Sequence, residues 1–245
     1  MKQPHILCEV QDVSPAVILP GDPARVCRIA GYLTEPREIA VNREFTTVCG
    51  TYEGIPMTVT STGIGGASMA IAVEELIRCG ARYLIRTGSC GACQPGIGIG
   101  DIVLSSGAVR EDGAGRMYVP DCYPAVADPQ LLQAAVSAAG RLGYPLHTGI
   151  TRSHDSFYID DEQERMDYWN LKGVLASDME TAALYVLAAL RGVQALSILN
   201  TVVTYRGSLE EGINAYTDTD AMAEEGERRE ILLALAVAVA AAGSS

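Results

Sequence analysis

Short apolar, β-branched runs bounded by glycine or proline recur along the chain at residues 16–19, 57–61, 83–86, 101–105, 146–151, 173–176 and 196–203. Runs of this length and make-up predict buried strands. Between them, apolar residues return at helical spacing over 23–33, 67–79, 129–142, 161–171, 179–190 and 221–242, several of these stretches opening on Asp or Ser. That spacing predicts helices. Strands alternating with helices make an α/β fold, with a central sheet flanked by helices. No repeat period or low-complexity linker interrupts the pattern, and the glycine-rich stretch 88–100 reads as a loop within the fold, so one domain over 1–245 is expected.

Composition narrows the function. With 48% hydrophobic and 20% charged residues, the 245-residue chain is of ordinary globular make-up. A net charge of -12 argues against a nucleic-acid partner, because phosphate backbones are held by basic surfaces. An anionic small ligand would need arginines gathered locally inside an acidic protein. The seven cysteines are odd in number and scattered, which fits reduced thiols in a cytoplasmic protein. The first thirteen residues lack the pattern of a secretory signal, and the apolar run 231–242 is shorter than the roughly 20 residues that span a bilayer. No membrane partner is expected.

Ligands of open α/β sheets gather where strands end and helices begin. At the first such joint, Gly21-Asp22-Pro23-Ala24-Arg25 offers a glycine turn, a proline suited to a first helical turn, and an arginine one turn on. Free amides at a helix start and a guanidinium together suit a phosphate, although a plain turn explains the same residues. Arg86 closes an apolar strand, where a guanidinium needs an anion or a salt bridge, and Ser89 follows it. Arg43 is a third candidate, though a surface arginine is its ordinary meaning. Thr62-Gly63-Ile64-Gly65-Gly66-Ala67-Ser68 is a glycine-rich turn without the spacing of a dinucleotide fingerprint. Cys90 and Cys93 form one Cys-x-x-Cys with no second pair and only His5, His147 and His154 to complete a metal set, so both are read as ordinary thiols. Asp178-Met179-Glu180 opens a helix after a strand. Its carboxylates suit the vicinal hydroxyls of a ribose, or merely the start of a helix.

Gly21-Asp22-Pro23-Ala24-Arg25, Arg43-Glu44-Phe45-Thr46-Thr47, Ser61-Thr62-Gly63-Ile64-Gly65-Gly66, Gly88-Ser89-Cys90-Gly91-Ala92 and Asp178-Met179-Glu180 together resemble the hexameric nucleoside phosphorylases in sequence, order and spacing. The likeness runs from about His5 to the C-terminal helix. Val109-Arg110-Glu111-Asp112-Gly113 and Tyr123-Pro124-Ala125-Val126-Ala127-Asp128 resemble the uridine-cleaving branch in particular. The resemblance implies a mixed sheet partly closed into a barrel and a pentosyltransferase that cleaves uridine with inorganic phosphate as co-substrate and no cofactor. It places Gly21, Arg25, Arg86 and Ser89 on phosphate, with Arg25, Arg86 and Glu180 as the catalytic set. Arg43 and His5 would come from a neighbouring subunit, to phosphate and to the ribose 5′-hydroxyl, in a hexamer built as a trimer of dimers. Met179 and Glu180 would hold the ribose; Cys90, Gly91, Phe157, Gln163, Arg165 and Arg206 would face the base. Glu44, Ile64 and Ser68 match a monovalent-cation (K+) site at the dimer interface.

Three departures stand out. Asp178 replaces a glutamate more usual before Met-Glu, Gln163-Glu164-Arg165 comes two residues later than its counterpart, and an insertion some relatives carry beyond it is missing. Purine-cleaving members place an aspartate just past the strand at 196–203, where this chain reads Thr204-Tyr205-Arg206. Pyrimidine preference follows, the alternatives being a purine nucleoside phosphorylase, a water-using nucleosidase, or a nucleoside-binding protein without catalysis.

Overall fold

The computed structural model describes residues 1–207 and 221–243. The chain forms β1 (Ala16–Pro20), α1 (Pro23–Ala30), β2 (Thr34–Asn42), β3 (Phe45–Tyr52), β4 (Ile55–Thr60) and α2 (Gly66–Arg78). It continues through β5 (Tyr83–Ala92), β6 (Ile102–Glu111), the short α3 (Gly113–Arg116), β7 (Ala125–Val126), α4 (Pro129–Leu142) and β8 (Leu146–His154). Then come α5 (Glu162–Leu171), β9 (Ala176–Asp178), α6 (Thr181–Arg191), β10 (Gln194–Val203) and α7 (Ala221–Ala242).

Among the described residues, all strands belong to one ten-stranded mixed sheet. β1, buried at every position, pairs in parallel with β4 on one side and β5 on the other. Burial on both faces explains why this strand reads as an unbroken apolar run. β5 also pairs with β10 and, at Gly91 and Ala92, with β9. Because β10 pairs with β6, β6 with β8, and β8 with β9, these strands close on themselves. The result is a small barrel from which β1, β4, β3 and β2 extend as an open wing. α6, buried from Thr181 to Ala188, lies against the barrel. Its Tyr185 hydroxyl donates to Ser105 O (2.7 Å) and accepts from Ser197 N (2.9 Å), which satisfies an otherwise costly buried phenol.

The differences from the sequence pattern have physical causes. The β2–β3 hairpin was not foreseen because β2 is largely exposed and carries no apolar run. The expected loop 88–100 begins as strand: Gly88 to Gly91 continue β5 and pair with β10. β6 runs on to Glu111 because β8 pairs with it throughout. β9 starts at Ala176 rather than 173, and α6 starts at Thr181 with Glu180 as its cap residue rather than at Met179.

The sheet positions the site through β5. Its register with β1 ends at Pro20 opposite Thr87, and β9 takes over only at Gly91. Gly88, Ser89 and Cys90 therefore face a gap where one edge of β5 changes partner, at the carboxyl ends of parallel strands.

Candidate functional site

Two guanidinium groups meet at this gap, each on a residue only 3% exposed. Arg25 rides on α1, whose N-cap Asp22 accepts from Ala24 N (2.8 Å) and whose first residue is Pro23. It donates from Nη2 to Ser89 Oγ (3.2 Å), from Nη1 to Thr87 O (3.1 Å), and from Nε to Glu227 Oε2 of α7 (2.9 Å). Arg86 donates from Nε to Asp178 Oδ2 (3.2 Å) and from Nη2 to Glu180 Oε2 (2.5 Å). Its Nη1 is buried without a partner. That nitrogen points at the glycine turn: a Cβ built on Gly21 would lie 3.9 Å from it. Burial works against the Arg86 charge, but Glu180, Asp178 and Glu230 outweigh it and hold the group above the ordinary arginine value.

The two carboxylates of the Asp178-Met179-Glu180 joint do different work. Asp178 is saturated: it accepts from Arg86, from Ser153 Oγ (2.6 Å), from Thr181 Oγ1 (2.6 Å) and from Thr181 N (3.1 Å). It anchors the start of α6. Glu180 Oε1 accepts from Gly65 N (2.6 Å), a residue at φ +89 in the turn before α2, and Oε2 meets Arg86. Burial pushes the Glu180 carboxyl up and Arg86 opposes it. Among the two, Glu180 keeps acceptor capacity for sugar hydroxyls, with the half-buried Met179 next to it.

On the far side of the gap, α5 packs against the end of β5: Asn170 Nδ2 donates to Cys93 O (2.8 Å). Gly91 lies opposite Val203, the last residue of β10, and Arg206 follows three residues on. Gln163 Nε2 donates to Asp167 Oδ1 (3.0 Å), Arg206 Nη2 to Asp167 Oδ2 (3.0 Å), and the Tyr205 hydroxyl to Asp167 Oδ1 (2.7 Å). Sequence reasoning missed Asp167, although its spacing of four residues from Gln163 on a helix puts the two on one face. The Tyr205 hydroxyl, then Arg206, holds the Asp167 carboxyl below the usual range. Arg165 turns elsewhere, pairing with Asp161 (2.9 Å) and Glu111 (3.8 Å). Phe157, half-buried on the β8–α5 connection, stacks edge-on with Tyr158 at 5.0 Å.

Arg43 sits exposed at the β2–β3 turn with φ +55, and no ion pair joins it to Arg25 or Arg86 among the described residues. His5 is tied to Glu75, whose Oε1 is 2.6 Å from its Nδ1. Both His5 and Arg43 lie beside Glu44, whose carboxyl is held low first by its own backbone amide and then by Ser68. Ser68 Oγ donates to Glu44 Oε1 (2.9 Å), so two of the three candidate cation ligands adjoin; Ile64 is 80% exposed. No group of three or more His, Cys, Asp or Glu arranged for a metal ion occurs among the described residues. Burial raises the thiols of Cys90 and Cys93, the latter to about 12, so neither is a ready thiolate.

These residues lie on a chain with clear relatives. It is 46% identical to a uridine phosphorylase of Thermococcus kodakarensis over 205 residues, 79% of this chain and 74% of that one. It is 41% identical to a guanosine phosphorylase of Halorubrum lacusprofundi over 219 residues, 89% of each chain. The crystal structure of uridine phosphorylase from Vibrio fischeri superposes with a TM-score of 0.90 at 43% identity, covering 96% of both chains. The model of the Phosphorylase superfamily matches residues 15–238, and the chain belongs to that family.

Proposed function

We propose that this protein is a pentosyltransferase that splits uridine with inorganic phosphate, giving uracil and ribose 1-phosphate. The observation that carries the reading is the unpartnered Nη1 of buried Arg86, aimed at the Gly21 turn beside the Arg25–Ser89 pair. A buried guanidinium donor left open is costly unless a ligand fills it. A phosphate there receives donors from Arg25, Arg86, Ser89 and the Gly21 backbone.

In the reaction a phosphate oxygen forms a bond to C1′ from the lower face of the sugar as the bond from C1′ to N1 of uracil breaks. The electron pair of that bond leaves with the base and spreads over its two carbonyls. Glu180 accepts the ribose hydroxyls and fixes the ring over the phosphate, while Met179 floors it. Holding both reactants in register supplies up to about 7–11 kcal/mol of barrier lowering. Gln163 and Arg206, brought together by Asp167, face the base. Because Asp167 is held ionised by Tyr205 and Arg206, it is an acceptor rather than a proton donor, which suits a base that leaves as an anion without protonation.

Guanosine is the second reading, favoured by the guanosine phosphorylase relative that aligns over 219 residues. Two further parts complete the proposal. Arg43 and His5, grouped around Glu44, are offered to the site of a neighbouring subunit, in a hexamer of paired chains. Glu44 and Ser68, with the Ile64 backbone, supply oxygen donors suited to a monovalent cation where two subunits meet; no step of the chemistry runs through it. The seven cysteines, all unpaired, support residence in the cytoplasm, and no described helix is long and apolar enough to cross a membrane.

The test is the phosphate-dependent absorbance change with uridine and guanosine side by side. Turnover of uridine only when phosphate is present, and faster than guanosine, supports the reading. Base release without phosphate would make the protein a hydrolase and end it.

A further inference from the structure

Behind the two arginines lies a carboxylate to which phosphorolysis gives no task. Glu230, on α7, is 0% exposed, and no side chain donates a hydrogen bond to its carboxyl oxygens among the described residues; the Gly88 backbone amide faces it. Its Oε2 stands 3.7 Å from Nη1 of Arg25. The charged groups facing it are Arg25 from α1, Arg86 from β5 and Glu227 one turn earlier on α7. Cys90 of β5 also lies within its field. From β10, neutral Asn200 donates to Ala223 O (2.9 Å), about two turns before Glu230 on α7.

The charge balance of this region is unusual for an anion site. Arg25 and Arg86 already face Asp178, Glu180, Glu227 and Glu230, with Arg28 as a further cation on Glu227. A phosphate dianion entering such a water-poor space adds to an existing excess of negative charge, which is costly. Asp178, Glu180 and Glu227 each accept a hydrogen bond from a guanidinium, so neutralising any of them breaks an ion pair. Glu230 accepts none from a guanidinium and stands in the longest of these pairs, 3.7 Å from Arg25, so it sheds its charge most cheaply.

We propose that Glu230 is the proton-bearing positioning residue of the phosphate pocket: phosphate binds while Glu230 is neutral, and where the free protein holds it ionised, binding takes up one proton. This rests on the phosphorolysis reading above. Burial pushes the carboxyl up to about 8, Arg25 and Arg86 opposing and Glu227 reinforcing the rise. Near neutral pH Glu230 is therefore mostly protonated before phosphate arrives, and Arg25, still paired with Glu227, is not shared with a second carboxylate. At higher pH the ionised carboxylate competes for Arg25.

Calorimetric titration of the intact protein with inorganic phosphate, without nucleoside, decides the matter between about pH 7 and about pH 9.5, the upper part being a range in which phosphate is already the dianion. Wild-type affinity is expected to fall by about tenfold per pH unit above pH ~8, and heats in two buffers of different protonation enthalpy at pH ~9 should report uptake of about one proton per phosphate. Glu230→Gln should bind phosphate with an affinity independent of pH in that range and with no proton uptake. Wild-type affinity that stays flat without proton uptake overturns the proposal, and this needs no variant to fold. A Glu230→Gln protein that keeps the wild-type decline overturns it equally. Should the wild type fail to bind phosphate near pH 7, the phosphorolysis reading itself falls, an outcome distinct from a flat profile.

Discussion

At the phosphate end, Arg25 and Arg86 are each 3% exposed and clasped by carboxylates of β9, of the cap residue before α6 and of α7, whereas at the base end Gln163, Arg165 and Arg206 are exposed and paired with acids of α5 and its surroundings. A buried guanidinium is held in one geometry because every alternative leaves a charge unpaired and dry. An exposed one exchanges its partner for water at little expense. The first arrangement preorganises an anion site and resists change; the second can be rebuilt without loss of the fold.

This contrast can be broken most sharply at Arg86. Arg86→Ala should lower kcat/KM for phosphorolysis by about a thousandfold or more, and unfolding in urea should show a loss of about 3–5 kcal/mol, because Asp178 and Glu180 are left buried without their cation. Retention of stability would mean that the phosphate end is not the rigid half. Glu180→Gln should follow with a fall of about a hundredfold in kcat/KM, measured at saturating phosphate, since the ribose loses a charged acceptor.

Next comes Glu230→Gln, read as stability. A folded value of about 8 against the ordinary carboxyl value of 4.5 means that the folded chain binds the proton more tightly than the unfolded one, so this group's contribution to stability is full below the unfolded value and is lost as pH rises toward and through the folded value. The variant's Tm relative to wild type should therefore rise by several degrees from mildly acidic to mildly alkaline buffer; a difference constant with pH would remove Glu230 from this account. Asp167→Asn should change the ratio of uridine to guanosine turnover by about tenfold, with Tm and the KM for phosphate unaltered. A change in phosphate KM instead would erase the boundary between the two ends. Arg165→Ala is the mildest: its exposed pairing with Asp161 predicts an unchanged Tm, and its separation from Asp167 predicts little effect on base choice.

The same division decides what could be read from the sequence. Arg25, Arg86 and Glu180 stand at strand-to-helix joints whose punctuation is local, a Gly-Asp-Pro turn in one case and an apolar strand ending in charge in another, so each was legible as a candidate, while their gathering rested on the family resemblance. Glu227 and Glu230 were not, because nothing in a C-terminal helical pattern says which strands it will underlie. The β2–β3 hairpin escaped because an exposed edge strand carries no apolar alternation. Asp167 escaped for a related reason: its importance comes from Tyr205 and Arg206, which lie just past the end of β10, far from it in sequence, and meet it only in the folded chain. Glycines were misread too, since those following Thr87 signal a loop by composition yet are strand by pairing.

One of those glycines governs more than its own backbone. Gly88 has no need of unusual torsion angles, but a methyl group there would sit 2.5 Å from Cζ of Arg86, because that side chain doubles back across its own strand. The missing atom is thus the slot in which the guanidinium lies. Evolutionary drift at position 88 is constrained by a side chain two residues away, and a designer who transplants Arg86 into another scaffold must transplant the vacancy with it.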